Sequence, residues 1–378
     1  MRRMQLESSP IKFTHSSTHS TQASLTETSQ NRCFKDVTLL FFLTLLLIVA
    51  VIVAAGAGAF PISPLQVIEA FLQPLKLSLG SGVTEQQNTV LWNIRLPRVL
   101  MGVVLGAGMA VAGSLLQGLF RNPLADPSLV GVSSGAGLAA AVVLVLGTHL
   151  AGFAKILGIF TLPLAAFFGG LAITLLIQRI STRHGITLMP MMLLAGIGIA
   201  AIAEAGIGLL SYVSNDEQLR SLSMWRMGSL GSSNWLTVLV AAPLIGISLT
   251  IALSIAPQLN ALLLGEAEAI HLGVDVQSLK RKIISLSALN VGVLVAFCGI
   301  VGFIGLLAPH CVRLVNGPDH KSLLPASALL GATLVVTADL IARTVFAPAE
   351  LPLGVLTALM GAPFFLVLLV RERRSWGL

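Results

Sequence analysis

The sequence predicts an all-α membrane protein, a polytopic bundle of about ten transmembrane helices with a weak inverted repeat. Three observations predict it. Hydrophobic residues fill 55% of the 378 positions and charged ones only 10%, whereas a soluble domain carries about a quarter charged residues. The apolar residues fall in runs close to the roughly 20 residues that a bilayer span needs, and mean hydropathy is +0.90. Glycine is abundant, with 36 residues, and small residues let transmembrane helices approach closely. The alternating apolar and polar pattern of an outer-membrane barrel is absent.

Residues 1–36 are rich in Ser, Thr and Gln and carry Arg2, Arg3, Lys12, Arg32 and Lys35. Such a segment cannot bury a core and is expected to be a disordered cytosolic tail. The membrane domain is then 37–378. Its first apolar run, Val37–Ala59, and the polar lead before it are both too long for a cleaved signal peptide. Ten spans follow from the apolar runs: 37–59, 95–119, 129–147, 157–178, 187–213, 236–256, 283–300, 302–316, 324–346 and 353–370. The Gly-rich join at Cys298–Gly305 reads as a bend or a loop. Cys33, Cys298 and Cys311 lie far apart in sequence, so no disulfide framework is indicated.

Orientation follows from the bias of Lys and Arg toward the cytosol. With the N-terminus inside, the inside segments hold the five tail cations, Arg121, Arg179, Arg183, Lys280, Arg281, Lys282, Arg313, Lys321, Arg371, Arg373 and Arg374. The outside segments hold Lys76, Arg95, Arg98, Lys155, Arg220, Arg226 and Arg343. That distribution places both termini in the cytosol. It also accounts for the net charge of +7 without a nucleic-acid partner. The repeat rests on Met109–Gly118 and Val293–Gly302, which share Val-Ala and a closing Gly at equal spacing and would cross the membrane in opposite directions.

One stretch breaks the apolar pattern. Pro257–Lys282 carries Glu266, Glu268, His271, Asp275, Lys280, Arg281 and Lys282, punctuated by Gly265 and Gly273. The glycines suggest two short helices joined by turns. Leu262, Leu263, Leu264, Ala267, Ile270 and Leu272 would form an apolar face, and Glu266 and Glu268 a wet one. A connector needs only a few residues, and loops beyond about 12–15 residues are usually functional. The stretch is therefore either a solvated loop or a docking surface for a cytosolic partner.

Ordered motifs surround it: Arg95-Leu-Pro-Arg98, Gly118-Leu-Phe-Arg-Asn-Pro-Leu-Ala-Asp-Pro127, Met227-Gly-Ser-Leu-Gly231, Gly302-Phe-Ile-Gly-Leu-Leu-Ala-Pro-His310, Ala338-Asp-Leu-Ile-Ala-Arg343, Phe346-Ala-Pro-Ala-Glu-Leu-Pro352 and Gly361-Ala-Pro363. From about residue 90 to the end the chain resembles the FecCD-type permeases of ABC importers for cobalamin, ferric siderophores and haem. The first of the long motifs, together with Met227–Gly231 and Phe346–Pro352, is most similar to haem permeases.

The resemblance implies a homodimer with a central path in the bacterial inner membrane. It implies a separate cytosolic ATPase pair and a periplasmic substrate-binding protein. No G-x-x-x-x-G-K-[ST] phosphate loop occurs, so nothing in the chain itself cradles ATP in that way. Gly265, Glu266, Ala267, His271 and Gly273 match the family's loop for coupling to the ATPase. Arg95, Arg98 and Arg343 match outward arginines that receive carboxylates of the binding protein; interfacial snorkelling is the alternative. The fifth span and the short helix after it would line the path, which assigns Met192, Glu204 and Tyr212 to it.

Glu204 has its own argument, because an ionised carboxylate in a span costs about 2.5–3.5 kcal/mol or more. It either faces a water-filled path or packs against a partner that the sequence does not name. Met189, Met191 and Met192 read equally well as packing, and His310 as a capping or dimer-packing residue. No H-E-x-x-H, Cys/His cluster or nucleophile-base pattern occurs, so no catalytic residue, metal site or cofactor is assigned. The rival of another class is an ion-coupled secondary transporter, with Glu204 as its sole strong candidate for an ion-binding carboxylate and Asp339 near the outer part of a span; the long polar stretch argues against it.

Overall fold

The computed structural model describes residues 17–58, 60–72, 80, 82–147 and 157–375. The amino-terminal tail before Ser17, together with Lys76 and Lys155, lies outside them. Fourteen helices are described. They are α1 (Ser17–Gly56), α2 (Pro64–Leu72), α3 (Glu85–Phe120, including a π turn at Leu91–Arg95), α4 (Val132–Leu146), α5 (Thr161–Ser181), α6 (Met189–Val213) and α7 (Asp216–Arg226). Then come α8 (Trp235–Ser254), α9 (Ala256–Leu263), α10 (Glu266–His271), α11 (Val276–Cys298), α12 (Ile304–Asn316), α13 (His320–Thr344) and α14 (Leu353–Ser375).

Among the described residues seven helices are long and apolar enough to cross a membrane. Two shorter apolar helices, Val132–Leu146 and Leu353–Val367, and the 13-residue α12 fall where the remaining three spans were expected. The ten-span reading holds in order. Its boundaries shift in three places. α1 begins at Ser17, so the part of the tail expected to be disordered from Ser17 onward continues the helix. α3 begins at Glu85 rather than 95, opened by a capping box in which Thr84 and Gln87 exchange hydrogen bonds of 3.2 and 3.0 Å. Pro97 therefore lies inside this helix, directly after the π turn. Proline has no N–H to donate one turn back, and the wider turn accommodates the loss. At the Gly-rich join, α11 ends at Cys298 and α12 starts at Ile304.

Gly299 makes that break with φ of +71°. A Cβ there would sit 2.2 Å from the Trp225 carbonyl oxygen, so only glycine fits. Of the two echoing segments, Met109–Gly118 is helical throughout and Val293–Gly302 crosses the end of α11.

α3 is the centre of the bundle: 78% of its apolar window is buried, against 17% for α6. It packs on α13, α11, α12 and α8. Two glycine pairs permit this. A Cβ on Gly106 would meet the Gly331 carbonyl at 2.2 Å, and one on Gly113 the Gly305 carbonyl at 1.7 Å. Backbone lies on backbone at these crossings, where dispersion and not the hydrophobic effect drives association in lipid. A two-stranded hairpin, β1 (Thr182–Arg183) and β2 (Ile186–Thr187), joins α5 to α6. His184 and Gly185 turn it with φ of +51° and +80°, the pattern of a type I′ turn. A helix-only reading of the sequence leaves this hairpin out.

Candidate functional site

Three groups of residues carry the chemistry. The first is the polar stretch, which folds as the two short helices α9 and α10. Gly265 turns between them with φ of +130°, and Gly273 leaves α10 with φ of +83°. Leu259 and Leu262 are buried under the bundle. The faces of α10 differ from the expectation. Leu264, Ile270 and Leu272 are 60–66% exposed, while Glu266, its side chain 42% exposed, reaches the buried Lys280 at 2.8 Å. The outward side of this region thus carries large apolar side chains, together with Ala267, Glu268 and His271.

Lys280 is 2% exposed, and such a cation needs partners. It has two: Glu266 and, at 3.2 Å, the carbonyl of Thr187. The N–H of Thr187 donates to Gln277 Oε1 at 3.0 Å. α10, the start of α11 and the strand that leads into α6 are therefore tied at one point. A cavity of about 430 Å³ lies beside it, lined by Arg121, Asn122, Thr187, Met189, Glu266 and Lys280 among others.

The second group lies at the opposite end of α3. Arg98 binds Asp339 through Nε and Nη2 at 2.8–3.1 Å and Glu350 through Nη1 and Nη2 at 2.8 and 3.0 Å. Asp339 is buried; the Glu350 side chain is 45% exposed. The hydrogen bonds from Arg98 hold the Glu350 carboxyl below its ordinary range, against its partial burial. Arg343 pairs with Asp339 at 3.6 Å and donates to the carbonyl of Ala54. Arg95 is 5% exposed and donates to the carbonyls of Ala55, Gly56 and Phe60.

Arg95, Arg98 and Arg343, expected to receive carboxylates of a binding protein, thus already have partners within the chain. The last carbonyls of α1 lack partners within their helix, and Arg95 and Arg343 supply donors to them. Glu350, and the pairing of Asp339 with both arginines, were missed by the sequence reading. Asp339 and Arg343 stand four apart on one helix, a spacing that could have suggested their pairing. Glu350 offered no local signal.

The third group is the open side of α6. Leu194, Ile197, Ile202, Leu209 and Tyr212 are exposed there, Tyr212 at 89%. Glu204 is exposed on the same helix and has the partner that the sequence did not name: Arg226 at the end of α7, whose Nη2 contacts its two oxygens at 3.0 and 2.9 Å. Met192 does not join them. It is 0% exposed and packs in the core, so in this conformation it is a packing residue, the alternative reading. His310 is also buried and meets the Phe364 ring edge-on at 5.9 Å. Among the described residues no group of three or more His, Cys, Asp or Glu could hold a metal ion.

The model of the FecCD transport family matches residues 46–371. This chain belongs to the FecCD transport family. It is 44% identical over 341 residues to the hemin transport system permease protein HmuU of Yersinia pestis, covering 89% of this chain and 96% of that one. It is 40% identical over 304 residues to the cobalamin import system permease protein BtuC of Halobacterium salinarum, covering 80% and 78%. A solved structure described as an inward-facing ABC transporter of the metal-chelate type superposes with a TM-score of 0.77 at 33% identity, covering 88% of this chain and 99% of that chain. As a FecCD member the chain is a multi-span permease of the ABC importer type, and the secondary-transporter reading is set aside.

Proposed function

We propose that this chain is the membrane-spanning subunit of a binding-protein-dependent ABC importer. It works as a homodimer in the bacterial inner membrane with both termini cytosolic, and its cargo is haem. The observation that carries the cargo assignment is the 44% identity to a hemin permease over 96% of that protein. ATP is hydrolysed by a separate cytosolic pair of subunits. These seat the exposed apolar side of α10, with Gly265, Glu266, Ala267, His271 and Gly273 setting its direction and contacts. The tie from Glu266 through Lys280 to Thr187 carries its movement to α6.

A periplasmic binding protein docks at the end where Arg95, Arg98 and Arg343 lie. Arg98, its side chain 12% exposed, is the docking arginine, because its half-exposed partner Glu350 can give way to another carboxylate. The path runs along the open side of α6, past Glu204 and Tyr212. A cobalamin permease is the second reading, favoured by the 40% identity to a cobalamin relative. Uptake of labelled haem into proteoliposomes carrying the whole transporter decides between them. Haem should be taken up, and excess cobalamin should not compete. Uptake of cobalamin in place of haem overturns the assignment.

A further inference from the structure

Resting on the path assigned above to α6, we propose that Arg226 and Glu204 form a carboxylate-exchange site, which admits metal chelates bearing free carboxylates. Glu204 stands nine residues before the end of α6 at Val213, about 14 Å along the helix at 1.5 Å per residue. α7 begins three residues after that end and is 11 residues long. Its last residue, Arg226, meets Glu204, so α7 folds back along α6 into the depth of the bundle. Both side chains stay open there, Arg226 at 37% and Glu204 at 52%. Ionised groups within a span face a water-filled cavity or the bundle interior rather than lipid tails. The surface around the pair is roomy: a Cβ added at Gly198 or Gly208 on the same helix would meet nothing within 4 Å.

The pair is not what holds α7 in place. Asn215 and Gln218 form a capping box at its start, and Gln218 Nε2 donates to the Val145 carbonyl at 2.9 Å. Just past its end, the N–H of Ser229 donates to the Cys298 carbonyl at 2.8 Å, and the N–H of Leu353 to the Gly228 carbonyl at 3.0 Å. Glu204 also leaves the guanidinium half used. Only Nη2 engages it, and among the described residues no other acceptor meets Nε or Nη1. Arginine's planar fork suits bidentate carboxylate recognition. An incoming carboxylate can bind the free edge and displace Glu204, so the cation is never stranded. Haem, with two propionates, fits this chemistry. A corrinoid whose periphery carries amides does not.

The test uses the whole transporter in proteoliposomes, with its ATPase and binding protein. Initial uptake of haem, ferric citrate and cobalamin is measured for wild type, Arg226→Gln, Arg226→Lys and Glu204→Gln, with thermal unfolding as the control for folding. The proposal predicts that Arg226→Gln lowers uptake of the carboxylated cargo at least tenfold, that Arg226→Lys retains a substantial part, and that Glu204→Gln, which removes the competing carboxylate, lowers the cargo concentration at half-maximal uptake. Equal losses in Arg226→Gln and Glu204→Gln mean a structural ion pair, and no loss in either means a bystander; both overturn the proposal. A wild type that carries ferric citrate and not haem removes the haem assignment alone. One that carries only cobalamin removes both.

Discussion

The buried acid Asp339 shows what single residues do here. It joins Arg98 on α3 to Arg343 on its own helix, and is 3% exposed. Removing one partner of a buried pair leaves a charge without compensation, at a cost of about 3–5 kcal/mol. Asp339→Ala should therefore lower the thermal stability of the purified permease strongly. Glu350 binds the same guanidinium but is half exposed, and exposed pairs contribute about 1 kcal/mol or less. Glu350→Gln should leave the unfolding temperature nearly unchanged. Similar losses in the two variants would show that Arg98 does not discriminate between its partners in this way. These partnerships were invisible in the sequence because Arg98 lies 241 and 252 residues from Asp339 and Glu350. Glu204 was singled out correctly as needing an explanation, since a carboxylate among apolar residues is legible by itself. Its partner, 22 residues on, lies beyond a turn that composition does not reveal.

Elements were more legible than contacts. Apolar runs report the spans directly, because lipid demands that the backbone bond within each helix. Which way a span faces is not reported. Apart from Glu204, α6 is almost uniformly apolar, so Met192 and Tyr212 looked alike in the sequence, yet one is buried and the other 89% exposed. The two-residue strands of the hairpin were too short to register as a pattern. The hairpin nonetheless gives the polar stretch its connection to α6, through the Thr187 carbonyl and Lys280. Lys280→Met would keep the apolar stem and remove the tie. It also leaves Glu266 unpaired at the surface, where water can solvate it. The expected result is a permease that still co-purifies with its ATPase but loses at least tenfold in ATP-driven uptake. Wild-type uptake in this variant would mean that motion reaches α6 by another route.

At the scale of the molecule, the central helix α3 relates the two ends. At one end it carries Arg95 and Arg98, with their partners on α1 and α13 and in the turn before α14. At the other, Phe120 and Arg121 line the cavity beside Lys280 and Glu266. Between them the Gly106–Gly331 and Gly113–Gly305 crossings leave no space for adjustment, which favours α3, α12 and α13 as a rigid body. The open helices α5 and α6 have only 17% of their apolar windows buried, so most of their apolar surface is left for lipid, the proposed path or a second copy. Energy would enter through α10, and the moving part would be α6 with its ion pair.

The most direct test of this account is uptake by proteoliposomes loaded with ATP, with and without the ATPase pair, under an imposed ion gradient in both cases. The account predicts accumulation of cargo only when the ATPase and ATP are present, abolished by Gly265→Val, which puts a side chain where φ is +130° and Glu268 already fills the space. Accumulation driven by the gradient alone, with the ATPase absent, would contradict it.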